Sequence, residues 1–265
     1  MRYKIDHDFH IHTYLSSCSN DPTQNPSTIL SYAKNNGIKT VCITDHYWDS
    51  EVDGAIPWYK RQNFDNIIKI KPLPIDSDVE FLFGCETELN RFNTLGVPAS
   101  RYNDFDFIII PTTHMHMKGF TLTEEEAHSE DDRARLWVEK LDAVLNMDLP
   151  FHKVGIAHLS CRFIGVTKDE YNNVVKKIPQ SELTRLFTKA SSLGVGIEIN
   201  TAFNEIMYPE TVNIYKTAKD CGCKFYFGSD AHTPNDFEEK LQSAEKLIDL
   251  IGLDESDKFI LRRDT

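Results

Sequence analysis

The chain has 265 residues, enough to bury a real core in one large α/β domain or two small ones, and its 40% apolar and 26% charged residues are ordinary for a globular protein. A formal net charge of −12 repels phosphate backbones at long range and disfavours an extended nucleic acid as partner. There is no run of 18 or more uncharged apolar residues, and the opening MRYKIDHDF carries no apolar signal region, so a cytoplasmic protein without a membrane association is expected.

Short apolar runs alternate with longer amphipathic stretches along nearly the whole chain. Strands are expected over 5–11, 40–44, 79–85, 105–110, 154–157, 195–199 and 224–227. Helical patterns fall between them at 26–36, 124–146, 181–193, 209–220 and 236–251. Asn25-Pro26 opens the first helix and Gly37 closes it; Gly194 follows the third, and Thr233-Pro234 precedes the last. Seven strands separated by helices predict a parallel sheet closing into a barrel, with an eight-stranded barrel or an open doubly wound sheet as alternatives. No repeat or linker interrupts the pattern, so residues 1–265 read as a single domain.

The six cysteines are too dilute in a chain this long to suggest a disulfide framework. Cys42 lies in an apolar run and reads as core; Cys221-Gly222-Cys223 reads as a turn before a strand.

The histidines and acids carry more information, because of where they fall. His10 and His12 end the first strand in DFHIHT, and residues two apart on a strand face the same side. His46 follows the second strand in ITDH, Glu86 the third in GCETEL, and His114 the fourth in PTTHMHM, with His116 two residues on. His158 follows the fifth in GIAHL, Asn200 ends the sixth in EIN, and Asp230 and His232 follow the seventh in GSDAH. In a parallel barrel all strand C-termini open on one face, where such folds build their sites. Imidazoles and carboxylates together suit Zn²⁺, Mn²⁺ or Fe²⁺, and eight such groups exceed the need of one ion. His7, His128 and His152 lie off this pattern and read as ordinary residues.

DFHIHT, ITDH, the strand-end Glu86, the His114 segment, GIAHL and GSDAH, in this order, resemble the successive motifs of the PHP (polymerase and histidinol phosphatase) superfamily. The resemblance implies a distorted (β/α)7 barrel, TIM-barrel-like, with two or three divalent metal ions. Carried over residue by residue, it implies His10, His12, His46, Glu86, His114, His158, Asp230 and His232 as ligands, with Glu86 bridging. Some members have a further His or acid six residues after the second His of the first motif. Here that position is Cys18, which leaves a thiolate ligand, a missing ligand or substitution by Asp21 as the options. GIAHLSCRF, GIEINTAFNEIMYPE and KFYFGSDAHTPNDF are similar to the histidinol-phosphate phosphatase branch.

The expected chemistry is therefore hydrolysis of a small phosphate monoester by a metal-bridging hydroxide, with L-histidinol phosphate as the single best substrate and His10, His12, Glu86, His158 and Asp230 at the reacting centre. Arg162 is the candidate phosphate clamp, against a surface salt bridge, and Lys118, His116 and Asn200 are candidate substrate contacts. The acidic stretch TEEEAHSEDDRARLW, with Arg133 and Arg135, reads as a solvated helix face, with a cap over the pocket or a seat for a substrate amine as alternatives. The competing functions are a PHP nuclease or nucleotide phosphoesterase, a protein-tyrosine phosphatase and a metal-stabilised interaction module. The sequence leaves the oligomeric state open.

Overall fold

The computed structural model describes residues 1–19, 21–165, 167–200 and 208–262, without the side chain of Arg162. Strands β1 (His7–Ile11), β2 (Thr40–Ile43), β3 (His46–Tyr47), β4 (Glu80–Thr87), β5 (Phe107–Pro111), β6 (Val154–Ala157), β7 (Gly196–Ile199) and β8 (Lys224–Phe227) are all parallel. They run in the order β1-β2-β4-β5-β6-β7-β8, with β3 a short addition on β4.

Helices α1 (Pro26–Asn36), α2 (Pro57–Lys60), α3 (Phe64–Ile67), α4 (Glu130–Leu145), α5 (Lys168–Lys177), α6 (Gln180–Leu193), α7 (Pro209–Asp220) and α8 (Asp236–Ile251) lie between and after the strands. Their ends follow local chemistry. Asn25 caps α1 by accepting from the Ser27 and Thr28 amides, and Gly37 ends it in the left-handed region at φ +70°. Ser129 splits the expected 124–146 helix by capping α4 at Asp132, after a short turn at Glu126–His128. Helix α5 is absent from the sequence reading, although Thr167 and Glu170 form a reciprocal capping box that marks its start.

The seam between β1 and β8 is nearly closed, and partly by side chains. The Asp230 amide donates to His10 O at 2.7 Å and the His12 amide to Ala231 O at 3.1 Å. Below them, the Phe227 amide donates to His7 Nε2 at 3.0 Å and the Ser229 amide to Asp8 Oδ1 at 2.9 Å. His7 thus stands in for a backbone acceptor that the irregular seam lacks. The result is an α/β, TIM-barrel-like architecture.

Inside the barrel, Phe9, Cys42, Leu82, Phe107, Ile109 and Tyr226 form an apolar floor, closed from below by Phe259 of the C-terminal segment. A larger cluster fills the space between strands and helices. A register shift in β1 between Asp8 and Ile11 breaks strict alternation, so that Phe9 joins the floor while His10 and His12 also face inward. Gly228 lies opposite: a Cβ there would overlap Glu198 Oε1 and His10 Cβ. Among the described residues no helix is long and apolar enough to cross a membrane.

Candidate metal centre

The eight candidate ligands gather above the apolar floor, at the C-terminal rim. His10 Nε2 and His12 Nε2 lie 3.1 Å apart, and Glu86 Oε2 lies 3.6 Å from the first and 3.3 Å from the second. Asp230 Oδ1 lies 3.1 Å from His12 Nε2 and 3.5 Å from His10 Nε2. His158 Nε2 approaches Glu86 Oε1 at 3.3 Å and Asp230 Oδ2 at 3.7 Å. Among the described residues four donor groups cluster tightly here: His10 with His12 and Glu86; Glu86 with His114 and His158; His12 with His46 and His232; and His10 with His158 and Glu198. Glu86 is common to the first two.

Several imidazoles are oriented by what their outer nitrogen touches. His10 Nδ1 lies 2.5 Å from Glu198 Oε1, and His114 Nδ1 lies 2.7 Å from Glu88 Oε2. His12 Nδ1 donates to Ser16 Oγ at 3.0 Å, and Ser16 in turn donates to Asp45 at 2.6 Å. His232 Nδ1 donates to Asp230 O at 2.8 Å. In each case Nε2 is left to face inward, an arrangement in which carboxylate or carbonyl partners fix the ring and raise its basicity toward a cation.

Two of the rim residues hold unusual backbone. His158, one residue past β6, has φ +61°, and Asp230, three past β8, has φ +54°. Left-handed geometry in a non-glycine residue is uncommon and tends to collect where the surrounding structure fixes a functional side chain.

The donor set fits divalent cations on a direct observation. Among the described residues, both carboxylate oxygens of Glu86 and Nδ1 of His46 are buried without a hydrogen-bond partner, although the two groups approach to 2.7 Å. A buried carboxylate with neither oxygen satisfied is costly, and a cation between it and the imidazoles removes that cost.

Electrostatics agree. Burial disfavours an imidazolium at His12, yet Asp230 and Glu86 outweigh it and raise the pKa to about 9. Burial likewise opposes charge on His10, but Glu198, Glu86 and Asp230 raise its pKa well above the ordinary value. Glu86 is held well below the usual carboxylate range, since His46 and His10 override burial. His46 and His232 go the other way, to about 4, because burial dominates and His12 adds repulsion. The surrounding carboxylates therefore favour positive charge at His10 and His12, whose Nε2 atoms lie 3.1 Å apart.

The PHP domain profile matches residues 8–202, more than half of the chain. The chain belongs to the PHP domain family. Two solved structures share the PHP protein's fold. Histidinol phosphate phosphatase from Lactococcus lactis, solved with zinc, L-histidinol and phosphate, aligns with TM-score 0.60 and 18% identity over 96% of this chain and 98% of its own. A proposed histidinol phosphatase from Listeria monocytogenes aligns with TM-score 0.55 and 14% identity over 87% and 96%. No curated protein sequence matches.

Other expected site residues of the PHP protein separate into two groups. A cavity of about 530 Å³ opens above the cluster, and His116, Asn200 and Cys18 line it with His46, Glu86, His114, His158, Asp230 and His232. His116 stacks on Phe163 at 3.9 Å, and Trp58 and Met117 extend this apolar wall. Lys118 is not on the lining; it faces Glu124 at 3.5 Å. Asp21 is spent on Thr23, and the side chain of Arg162 lies outside the described residues.

The acidic stretch also divides. Arg135 is a surface group among Glu126, Asp132 and Glu139. Arg133, expected on a solvated face, is instead buried and donates to the carbonyls of Ala127, Met115, Phe163 and Ile164. Its five donors suit a junction where two loops leave backbone acceptors unpaired. It ties the His114–His116 loop to the loop after His158. Besides Glu86 and Asp230, the acids lining the cavity are Asp236 and Glu239 of α8, not those of 124–132.

Sequence reasoning overlooked Glu198, Glu88, Asp45 and Ser16. Period-two spacing would have found the first two, since Glu198 precedes Asn200 by two residues and Glu88 follows Glu86 by two. Asp45 stands beside His46 in the same motif, but nothing local announces that it reaches Ser16 and Thr13 across the rim.

Proposed function

We propose that this PHP protein is a metal-dependent phosphomonoesterase acting on a small phosphorylated metabolite, with L-histidinol phosphate as the best single substrate, as in histidine biosynthesis. The observation that carries the reading is Glu86, shared by two donor clusters with both oxygens unpartnered at the base of the cavity. His10, His12, His46, Glu86, His114, His158, Asp230 and His232 would hold two or three ions (zinc, manganese or iron), with Glu86 between them. Bound there, such ions lower the pKa of water and offset phosphoryl charge. Water oxygen forms a bond to phosphorus, the ester P–O bond breaks, and the departing alcohol oxygen takes up a proton.

This chain's residues supply the setting. Glu198, Glu88 and the Ser16–Asp45 pair hold ring orientations, while the His116–Phe163 wall and Trp58 keep water from one side of the cavity. That wall suits the imidazole of histidinol phosphate, and Glu239 on the same cavity lining suits its ammonium. A related fold that holds zinc, L-histidinol and phosphate supports the same assignment. The net charge of −12 favours a small substrate over a nucleic-acid polymer. One domain over 1–265 and a cytoplasmic location belong to the same reading.

The test is phosphate release from L-histidinol phosphate by protein loaded separately with Mn²⁺, Zn²⁺ or Fe²⁺, with His158→Ala as background. Saturable, variant-sensitive turnover is expected. Hydrolysis of an aryl phosphate alone would keep the phosphoesterase and remove the histidinol assignment; inactivity on both would remove the reaction class.

A further inference from the structure

Several polar atoms on the cavity wall are buried and unpartnered, and they differ in what they can bind. The Glu86 oxygens and His46 Nδ1 suit a cation, and Ser243 Oγ can either donate or accept. Asn200 Nδ2 can only donate. It belongs to a residue 6% exposed that lines the same cavity as His158 and Asp230, and it has no hydrogen-bond partner among the described residues.

Two elements hold it in place. Asn200 follows β7 directly and shares an inward face with Glu198, which holds His10. The hydroxyl of Tyr215, fully buried on α7, donates to the Asn200 carbonyl at 3.3 Å and contacts Ser160 Oγ at 3.0 Å. Ser160 stands two residues past His158, so the same tyrosine ties the Asn200 backbone to the loop that carries a candidate ligand. The backbone is anchored, and the side chain lines the cavity with Nδ2 buried and unpaired among the described residues. A buried donor kept without a partner is unfavourable for the free protein, and an anion's oxygen is its natural complement.

We infer that Asn200 is a catalytic residue that donates from Nδ2 to a non-bridging oxygen of the substrate's phosphoryl group. Negative charge on those oxygens must be stabilised during in-line displacement, and a fixed N–H does so without reorganising. An amide N–H cannot serve as a metal ligand, so this role is separate from the histidine–carboxylate cluster. The inference rests on the phosphoesterase reading above, and the experiment separates the two.

Wild type, Asn200→Ala and Asn200→Asp are loaded with Mn²⁺ and compared for aryl phosphate hydrolysis, inhibition by orthovanadate and calorimetric binding of inorganic phosphate, alongside metal content and Tm. The expected result is a loss of about 10²-fold in kcat/KM, chiefly in kcat, with vanadate binding weakened in parallel. Metal content should hold, and Tm for the alanine variant should be no lower than wild type, because an unpaired donor is removed. A merely structural role predicts a lower Tm with vanadate inhibition unchanged, and that outcome overturns the inference. An active wild type with variants within about twofold also overturns it and leaves the phosphoesterase intact. An inactive wild type that binds phosphate through Asn200 keeps the donor and removes the hydrolysis; one that binds no phosphate removes both.

Discussion

Phe107 and Glu86 stand on neighbouring strands and face the same barrel interior from adjacent levels, with Gly84 paired to Phe107 and Glu86 to Ile109. Both are essentially buried. Phe107 packs against Phe9, Tyr226 and Phe259 at centroid distances of 5.4, 5.1 and 5.9 Å, and burial of such a ring stabilises the fold by roughly 1.5–3 kcal/mol. Glu86 has neither carboxylate oxygen hydrogen-bonded and is balanced only by neighbouring imidazoles. The lower layer is stabilised by what it already touches. The upper layer is charged and unsaturated, so a cation bound there would lower its free energy.

The sharpest break in this comparison is Glu86→Gln. Loss of the shared carboxylate should lower turnover by at least about 10³-fold, roughly 4 kcal/mol of transition-state stabilisation, and reduce bound metal, with circular dichroism showing the fold retained. Phe107→Ala should do the opposite. A loss of about 3–5 kcal/mol in unfolding free energy by denaturant titration is expected, with metal stoichiometry preserved at temperatures where the variant is folded. If Phe107→Ala abolished metal binding while still folded, the two layers would not be separable.

Glu198→Gln probes the junction between the layers. It keeps the size of the group holding His10 Nδ1 but removes its charge, and metal affinity measured with a competing chelator should fall about 10–100-fold.

The pH dependence sharpens the same point. In the metal-free fold His12 keeps its proton up to about 9, against an ordinary value of 6.5. A raised folded-state pKa means that the protonated ring stabilises the metal-free fold below pH 6.5, and that this contribution is lost as pH rises through about 9. Metal must displace that proton, so affinity should climb from neutral pH and level off near 9, with proton release visible by calorimetry in buffers of different ionisation enthalpy. A flat profile over that window would mean that His12 does not ligate. Lys118→Ala, outside both layers in a half-exposed pair with Glu124, should change kcat/KM by less than about twofold.

Much of this was legible in the amino-acid order. Alternating apolar runs and amphipathic stretches located β6, β8, α1, α7 and α8 to the residue, because period and capping residues are local properties. The strand-end positions of His10, His12, Glu86, His158 and Asp230 pointed to one rim, because a parallel barrel delivers all its strand C-termini to one face. Tertiary structure alone decided the rest. The shift in β1 that turns Phe9 and His10 inward together, the reach of Arg133 to four carbonyls, and the use of Glu198, Glu88 and Asp45 to orient rings all depend on partners from distant strands and loops. So does the unpaired Asn200 Nδ2: a sequence names a donor, but only packing shows that none of the described residues answers it. Periodicity carries direction along a chain, whereas hydrogen-bond satisfaction is settled by groups that meet only after the chain has closed on itself.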